Sequence, residues 1–370
     1  MRWILTPVGS AGDVFPFIAL GRRLREAGHE VTLVTAQIFA DAVRGAGLDF
    51  VGVGNEAELE RIMRDPRIWQ MGWGTKAVFE HSAGVAGEYL EAIRSVVEDD
   101  REPARLLGSV LAFGARLARE ALGLPLVTVH LQPAVMVSAY EPPLVLPALD
   151  RLLRVLPVRV RRWLFDHGPN PLDFFAGRRL RDEARHLGVR PPRSFFREWW
   201  DSPDGVMVLF PEWWAAPQPD WPQPLLQMPF PLEDLAQDAV LAPEVEAFLA
   251  CHEAAPPVLL TAGSANVQAQ AFFAEGVAAL KQLGRAGLLL TREPDQLLQP
   301  LPPEMLAVTY APFSQLLPRC AAMVHHGGIG TLSQALAAGV PQLVVPMAHD
   351  QPDNARRLER LGVGFLWAFA

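Results

Sequence analysis

The stretch VHHGGIGTLSQALAAGVPQLVVPMAHDQPDNA, residues 324–355, holds the pattern on which the fold turns. An apolar strand runs into His325 and His326, followed by Gly327, Gly328, Gly330 and Thr331. TLSQALAAG then has helical spacing, and PQLVVPM is a second strand that ends in His-Asp-Gln. Strand, glycine loop, helix and strand in that order predict a parallel βαβ unit. The glycines clear side chains from the helix start, where unpaired N–H groups and the dipole favour an anion. A diphosphate there has its charge stabilised by His325 and the Thr331 hydroxyl as well. Asp350 and Gln351 stand just past the second strand. A carboxylate and an amide suit a polyhydroxyl ligand, and Asp350 equally suits the N-cap of the next helix.

Outward from this unit the same grammar repeats. PPVLLTAGSAN, AGLLLT, AVTYAPF and VGFLWA are further strands of a block that begins near Pro256. At the other end of the chain RWILTPV, EVTLVTA and LDFVGVG alternate with VFPFIALGRRLREAG and QIFADAVRGAG, and AFGARLAREALGLPLVTVHLQPA adds a helix and a strand. The fold class is therefore α/β, with two Rossmann-like domains whose ligand should bind in the cleft their strand ends face. FPEWWAAPQPDWPQPLLQMPFPLED is too rich in proline for a helix or central strand and reads as a connector. We expect an N-terminal domain over 1–228, a linker over 229–255 and a C-terminal domain over 256–370.

Composition narrows the function. The chain has 370 residues, half of them hydrophobic, enough for two cores. A net charge of -8 argues against a nucleic-acid binder. Cys251 and Cys320 have no metal or redox spacing and fit a reducing cytosol. No signal-like or spanning apolar run is evident, so a soluble, cytoplasmic protein is expected. RLLRVLPVRVRRWLF mixes arginine with bulky apolar residues; it admits peripheral membrane contact, but Pro157 interrupts the face and favours a helix half in the core.

Three loops carry candidate chemistry. In GSAGDVFP, Gly9 and Gly12 permit a tight turn before a helix. Its spacing is not that of a dinucleotide fingerprint, and the next strand ends in Thr35-Ala36 where a ribose-binding acid would stand. Asp13 there is either a general base or an N-terminal helix aspartate. TAGSAN offers Gly263 and Ser264 to a phosphate. The histidines lack a third ligand at a familiar spacing, so no metal site and no cofactor are expected.

The ordered set YAPF…HHGGIGT…AAGVP…P…HDQ…NA resembles the donor signature of family 1 glycosyltransferases with the two-Rossmann GT-B architecture. GSAGDVFPFIALGRRLREAGHEVTLVT is similar to the N-terminus of the sterol, antibiotic and rhamnosyl transferases of that family, and DPRIW and FPEWWAAPQPDWPQPL to its rhamnosyltransferases of rhamnolipid synthesis. The resemblance implies that Asp13 is the base for an acceptor hydroxyl. It places Ser10, Gly263 and Ser264 near the donor diphosphate, and Tyr310 and Ala311 at the base. His325, Gly327, Gly328, Gly330 and Thr331 form the phosphate loop, and Asp350 and Gln351 hold sugar hydroxyls. His326 falls at a variable position without a role. Ser333 stands where plant relatives carry a ribose-binding glutamate. The family pattern continues past Ala370, so the C-terminal domain is expected to be incomplete at its end.

The expected activity is inverting, metal-independent transfer of a hexosyl group, rhamnosyl or glucosyl, from a nucleotide sugar to an apolar or lipid-like hydroxyl acceptor. Trp69, Trp73, Phe79, Trp199 and Trp200 suit such an acceptor or an ordinary core equally. The rival expectations are a nucleotide-sugar epimerase of the same fold and a weak homologue that binds only donor or a partner.

Overall fold

The computed structural model describes residues 1–70, 72–98, 103–144, 147–232 and 240–367. The chain divides into two compact units, Met1–Pro231 and Leu232–Ala370, each built on one sheet.

In the first unit β1 (Arg2–Thr6), β2 (Glu30–Ala36), β3 (Asp49–Val53), β4 (Ala104–Ser109), β5 (Leu126–His130), β6 (Val206–Val208) and β7 (Leu225–Gln227) lie in the order β3-β2-β1-β4-β5-β6-β7. The pairings are parallel throughout. Successive strand residues face opposite sides, and the adjacent Ile4 and Leu5 are both fully buried, as are Leu33 and Val34. Helices therefore cover both faces, as a parallel sheet requires. The connections diverge between the neighbours β1 and β4, so the loops after these strands open onto a topological switch point. Val8 N–H donates to Ser109 Oγ at 3.1 Å and joins those loops.

The second unit places β8 (Val258–Thr261), β9 (Gly287–Leu290), β10 (Met305–Val308), β11 (Ala322–His325), β12 (Gln342–Val344) and β13 (Gly364–Leu366) in the order β10-β9-β8-β11-β12-β13, again parallel. Leu259 packs in one apolar cluster, with Met323 and Leu288, while Val258 and Leu260 pack in another, with Phe273. Alternation along β8 thus feeds a core on each face. The switch point here lies between β8 and β11, where TAGSAN and HHGG begin.

Several expectations need correction. β4 was not among the expected strands, and β10 ends before Thr309, earlier than the expected AVTYAPF run. The proline- and tryptophan-rich stretch is not merely a connector. It contributes β7, and Phe210, Trp214 and Trp221 are buried. Asp220 accepts from Ser138 Oγ at 2.6 Å and from the Ala139 N–H at 2.7 Å, tying the stretch to the first unit. The prolines lie outside β7 itself, with Pro224 just before it and Pro229 after it, at the edge of the sheet. The expected linker 229–255 also contains a helix, Pro243–Cys251, whose Val245 and Leu249 enter the core of the second unit. Pro157 does end one helix, Pro147–Val155, before another, Val158–His167. Yet the second of these has no buried residue, so it is not half in the core as expected. Among the described residues no helix is long and apolar enough to cross a membrane.

Candidate active site

In the first unit the chain leaves β1 through Pro7–Ser10 and enters the helix Ala11–Glu26. Asp13 lies in the first turn and folds back on the loop. Its Oδ2 accepts the Ser10 N–H at 2.8 Å and the Ser10 hydroxyl at 3.0 Å. Gly9 is in a left-handed conformation, φ +138°, and a Cβ there would stand 2.3 Å from Asp13 Oδ2. Glycine is thus required twice, by backbone geometry and by the carboxylate. Burial of the carboxyl raises its pKa above the usual 3.8, against the lowering effect of the two Ser10 bonds. The residue stays partly accessible. Ser10 therefore serves Asp13, and the N-terminus of this helix is satisfied by a carboxylate of its own chain.

In the second unit the parallel strands bring four loops to one edge of the sheet. Ser264 is exposed after β8, and Tyr310 is 37% exposed beyond β10 with Ala311 buried beside it. After β11 come Gly327 and Gly328 and the helix Ile329–Ala337, whose first turn carries no acid and no side-chain cap. Gly327, φ +93°, is close-packed: a Cβ would meet Val344 Cγ1 at 2.6 Å. Gly330 is different. It is exposed, and a Cβ there would meet nothing within 4 Å, so its bareness serves no contact of the protein itself. Thr331, one position on, is partly exposed.

His325 does not fit the role the sequence suggests. It is fully buried. Its Nδ1 accepts the Gly327 N–H at 3.1 Å, which puts the ring proton on Nε2, and that N–H donates to Gln342 Oε1 at 2.9 Å. Burial first, then the neighbouring His326, lowers its pKa to about 3, while the Gln342 bond raises it. A neutral ring with both nitrogens engaged cannot donate to a phosphate; His325 shapes the loop that can. The side-chain oxygen of Gln351 is also committed. It is buried, and its Oε1 accepts the Met347 and Ala348 N–H groups at 2.7 and 2.9 Å. Asp350 makes no side-chain cap to the helix Gln351–Arg360; its Oδ2 instead accepts from Asn354 Nδ2 at 2.6 Å. The same Asn354 nitrogen donates to the Gly327 carbonyl at 3.0 Å, joining the glycine loop to the Asp350 loop.

This architecture and these loops have relatives. Residues 3–140 match the glycosyltransferase family 28 N-terminal domain, and residues 286–368 match the C-terminal domain of the erythromycin biosynthesis protein CIII-like family. The O-mycaminosyltylonolide 6-deoxyallosyltransferase of Streptomyces fradiae is 30% identical over 98% of this chain and 84% of its own length. The chain is a family 1 glycosyltransferase of GT-B fold. Among solved structures, the kitacinnamycin glycosyltransferase aligns over 100% of this chain and 86% of its own, with TM-score 0.68 and 23% identity. Glycosyltransferase VinC, solved in complex with dTDP, aligns over 100% and 87%, with TM-score 0.66 and 22% identity.

Sequence reasoning missed Gln342 in this glycosyltransferase, and it saw Asn354 only as part of the ordered set, without a role. Their partners lie 17 and 27 residues away; the pairing of β11 with β12 brings Gln342 to His325, and the helix Gln351–Arg360 brings Asn354 to Gly327. Ser333 turns inward and donates to the Gly330 carbonyl at 3.0 Å, so it does not replace a ribose-binding glutamate. Of the first-unit aromatics, Trp199 and Trp200 are core, and Phe79 packs edge-on against Trp200, whereas Trp73 is 49% exposed beneath Arg67 and Lys76. Among the described residues no three His, Cys, Asp or Glu side chains gather in a way that could hold a metal ion.

Proposed function

We propose that this glycosyltransferase moves a hexosyl group, rhamnosyl or glucosyl, from a nucleoside-diphosphate sugar to a hydroxyl of an apolar acceptor, with inversion and without a metal. The second unit is the donor-binding domain and the first the acceptor domain. The reading rests chiefly on Asp13, a partly accessible carboxylate whose pKa is raised by burial, hence a stronger base than an ordinary aspartate. Asp13 takes the acceptor proton as the acceptor oxygen bonds to the anomeric carbon. The bond from that carbon to the diphosphate oxygen breaks on the opposite side, and its electron pair leaves with the nucleoside diphosphate. The growing charge meets the N–H groups at the start of Ile329–Ala337 and the Thr331 hydroxyl, groups fixed before the reaction begins. Ser264 supplies a further donor, Asp350 accepts from sugar hydroxyls, and Tyr310 with the Ala311 backbone meets the base. Support for the donor comes from VinC, whose structure holds dTDP.

The acceptor class is supported by a surface feature. Leu152, Val155, Val160 and Trp163 are exposed on helices that also carry Arg151, Arg154, Arg159 and Arg162, and Phe174 is exposed on the short helix Pro171–Phe175 that follows. Apolar side chains flanked by arginine suit peripheral contact with an anionic lipid surface. We place the protein in the reducing cytosol, in keeping with its two free thiols. The test is Asp13→Asn assayed with a panel of nucleotide sugars. Transfer should be lost while nucleoside diphosphate still binds, and wild type should release nucleoside diphosphate only when acceptor is present. Release without acceptor would favour an epimerase, and retained transfer in the variant would remove Asp13 as the base.

A further inference from the structure

We propose that Tyr89 and Thr35 are positioning residues for the base: their hydroxyls hold the Pro7 carbonyl, and through it the loop on which the Asp13 carboxylate rests. The inference rests on the reading of Asp13 as the base given above. Tyr89 lies on the helix Ala86–Glu98, and its hydroxyl donates to the Pro7 carbonyl oxygen at 2.9 Å. Thr35 Oγ1 donates to the same oxygen at 3.0 Å. That oxygen has two lone pairs, and each meets a hydroxyl. The pairing of β1 with β2 sets Leu5 beside Leu33, so the register carried two residues further brings Thr35 level with Pro7. Tyr89 comes close because the facing helix has a glycine there: a Cβ on Gly114 would stand 2.3 Å from Tyr89 Cβ. Pro7, Thr35 and Tyr89 are all buried. Neither donor shows in the sequence pattern, since 82 and 28 residues separate them from Pro7.

Three features tie these bonds to the base. The first is that the links run on to Asp13 without a gap. Val8 N–H donates to Ser109 Oγ at 3.1 Å, Gly9 leaves the space that the carboxylate fills, and Ser10 donates twice to Asp13 Oδ2. The second is that the loop borders a hollow. Val8, Gly9, Thr35 and Tyr89 line a cavity of about 40 Å³, together with Gln37 and His81. Atoms beside a cavity lack packing partners on that side, so hydrogen bonds carry more of the positioning. The third is that the donor is permanent. Burial raises the Tyr89 pKa above the ordinary 10.0, against the lowering effect of Thr35, so the phenol keeps its proton at working pH.

The test compares Tyr89→Phe, Thr35→Val and the two changes together in the full chain, with Asp13→Asn alongside. Each single change leaves the carbonyl one donor, so kcat should fall by about 2- to 5-fold, in keeping with a neutral hydrogen bond. The double change leaves a buried carbonyl unpaired and frees the loop. There kcat should fall by about 100-fold, the scale of a misplaced reacting group and more than the single losses multiplied. Affinity for dTDP or UDP should stay within about twofold of wild type. Tyr89→Phe with Thr35→Ser, which returns one hydroxyl, should restore most of the rate. The acid limb of kcat/KM should move down in the double variant, because burial chiefly raises the Asp13 pKa and a loosened loop admits water. Tyr89→Phe removes one oxygen and keeps its ring in the core, so its limb should move the same way, by less, even where the double variant is too unstable to assay. A folded double variant that keeps its kcat while Asp13→Asn is inactive would overturn the proposal alone. So would limbs unmoved in both variants, or a loss that falls equally on nucleoside diphosphate binding. Retained transfer in Asp13→Asn would instead remove the base, and with it the reason for holding the loop.

Discussion

Two helices in this glycosyltransferase begin at a topological switch point after a glycine-bearing loop, and they treat the positive end of the helix in opposite ways. The helix Ala11–Glu26 carries Asp13 in its first turn and fills its own N-terminus with that carboxylate. The helix Ile329–Ala337 has Gly328, Ile329, Gly330 and Thr331 in the same place and no acid. The sequences look alike as strand, glycine and helix, and both suggest anion binding. The difference lies in what the glycines accommodate. Gly9 admits a carboxylate of the chain and Gly263 an imidazole of the chain, while Gly330 borders open space. An N-terminus satisfied from within can hold a base; one left uncapped can stabilise a leaving group.

The largest effect expected falls on the first helix. Asp13→Asn should lower kcat by about 10²- to 10⁴-fold with dTDP or UDP affinity within about twofold of wild type. In wild type the acid limb of kcat/KM should lie above the ordinary carboxylate range. The sign follows from the raised pKa: Asp13 stays protonated to a higher pH, and the rate climbs as it loses its proton. A limb at or below 3.8 would show that burial does not govern this carboxyl.

Next is a substitution that turns the second helix into a copy of the first. Gly330→Asp places an acid in its first turn, where a new Cβ meets nothing within 4 Å. The helix should gain about 0.3–1 kcal/mol from its dipole, while nucleoside diphosphate affinity falls by about 100-fold through like-charge contact. Thermal unfolding and calorimetric titration read the two effects separately. Unchanged affinity in a well-folded variant would mean that the diphosphate lies elsewhere.

The same change in both loops gives a finer contrast. Gly9→Ala and Gly263→Ala each force a Cβ into a side chain, Asp13 Oδ2 at 2.3 Å in one case and His326 Cε1 at 2.6 Å in the other. Each should cost about 1–3 kcal/mol of stability by overpacking at a positive φ. Their functional effects should part, Gly9→Ala acting mainly on kcat and Gly263→Ala mainly on donor KM. If both lower kcat alone, the division of labour between the loops is wrong.

The strands β1, β2, β8, β9, β11 and β12 were legible because a parallel strand inside a covered sheet is a continuous apolar run bounded by glycine or proline, and β3 and β13 read as apolar runs although they lie at sheet edges and Phe365 is exposed. β4 was harder, since Arg105 and Gly108 break its short run. β6 and β7 have three residues each, too few for any period to register, and β7 is hidden among prolines. At the site, the glycines, Thr331 and Asp13 were readable as residue types suited to a task. What sequence could not convey is which polar atoms are already used. His325 is fixed by Gln342, a residue brought alongside by the pairing of β11 with β12, and by the Gly327 N–H, whereas His326 makes neither bond.

The smallest effect expected concerns the loop after β12, which the comparison leaves as a third way to build a turn at the same sheet edge. His349, at φ +60°, is the one non-glycine residue with positive φ among the described residues. Left-handed geometry costs an L-residue about 1–2 kcal/mol, while glycine loses about 0.4–1 kcal/mol through the greater freedom of its unfolded chain. The two effects nearly cancel, so His349→Gly should change stability by no more than about 1 kcal/mol. His349→Val meets the same geometry with a branched Cβ and should lose about 1–2 kcal/mol or more. Because the turn leads directly into Asp350, the valine variant should also raise donor KM, whereas glycine should leave it close to wild type. Denaturant titration beside steady-state kinetics measures both. A valine variant as stable as wild type would mean that the turn relaxes freely and does not hold Asp350 in place.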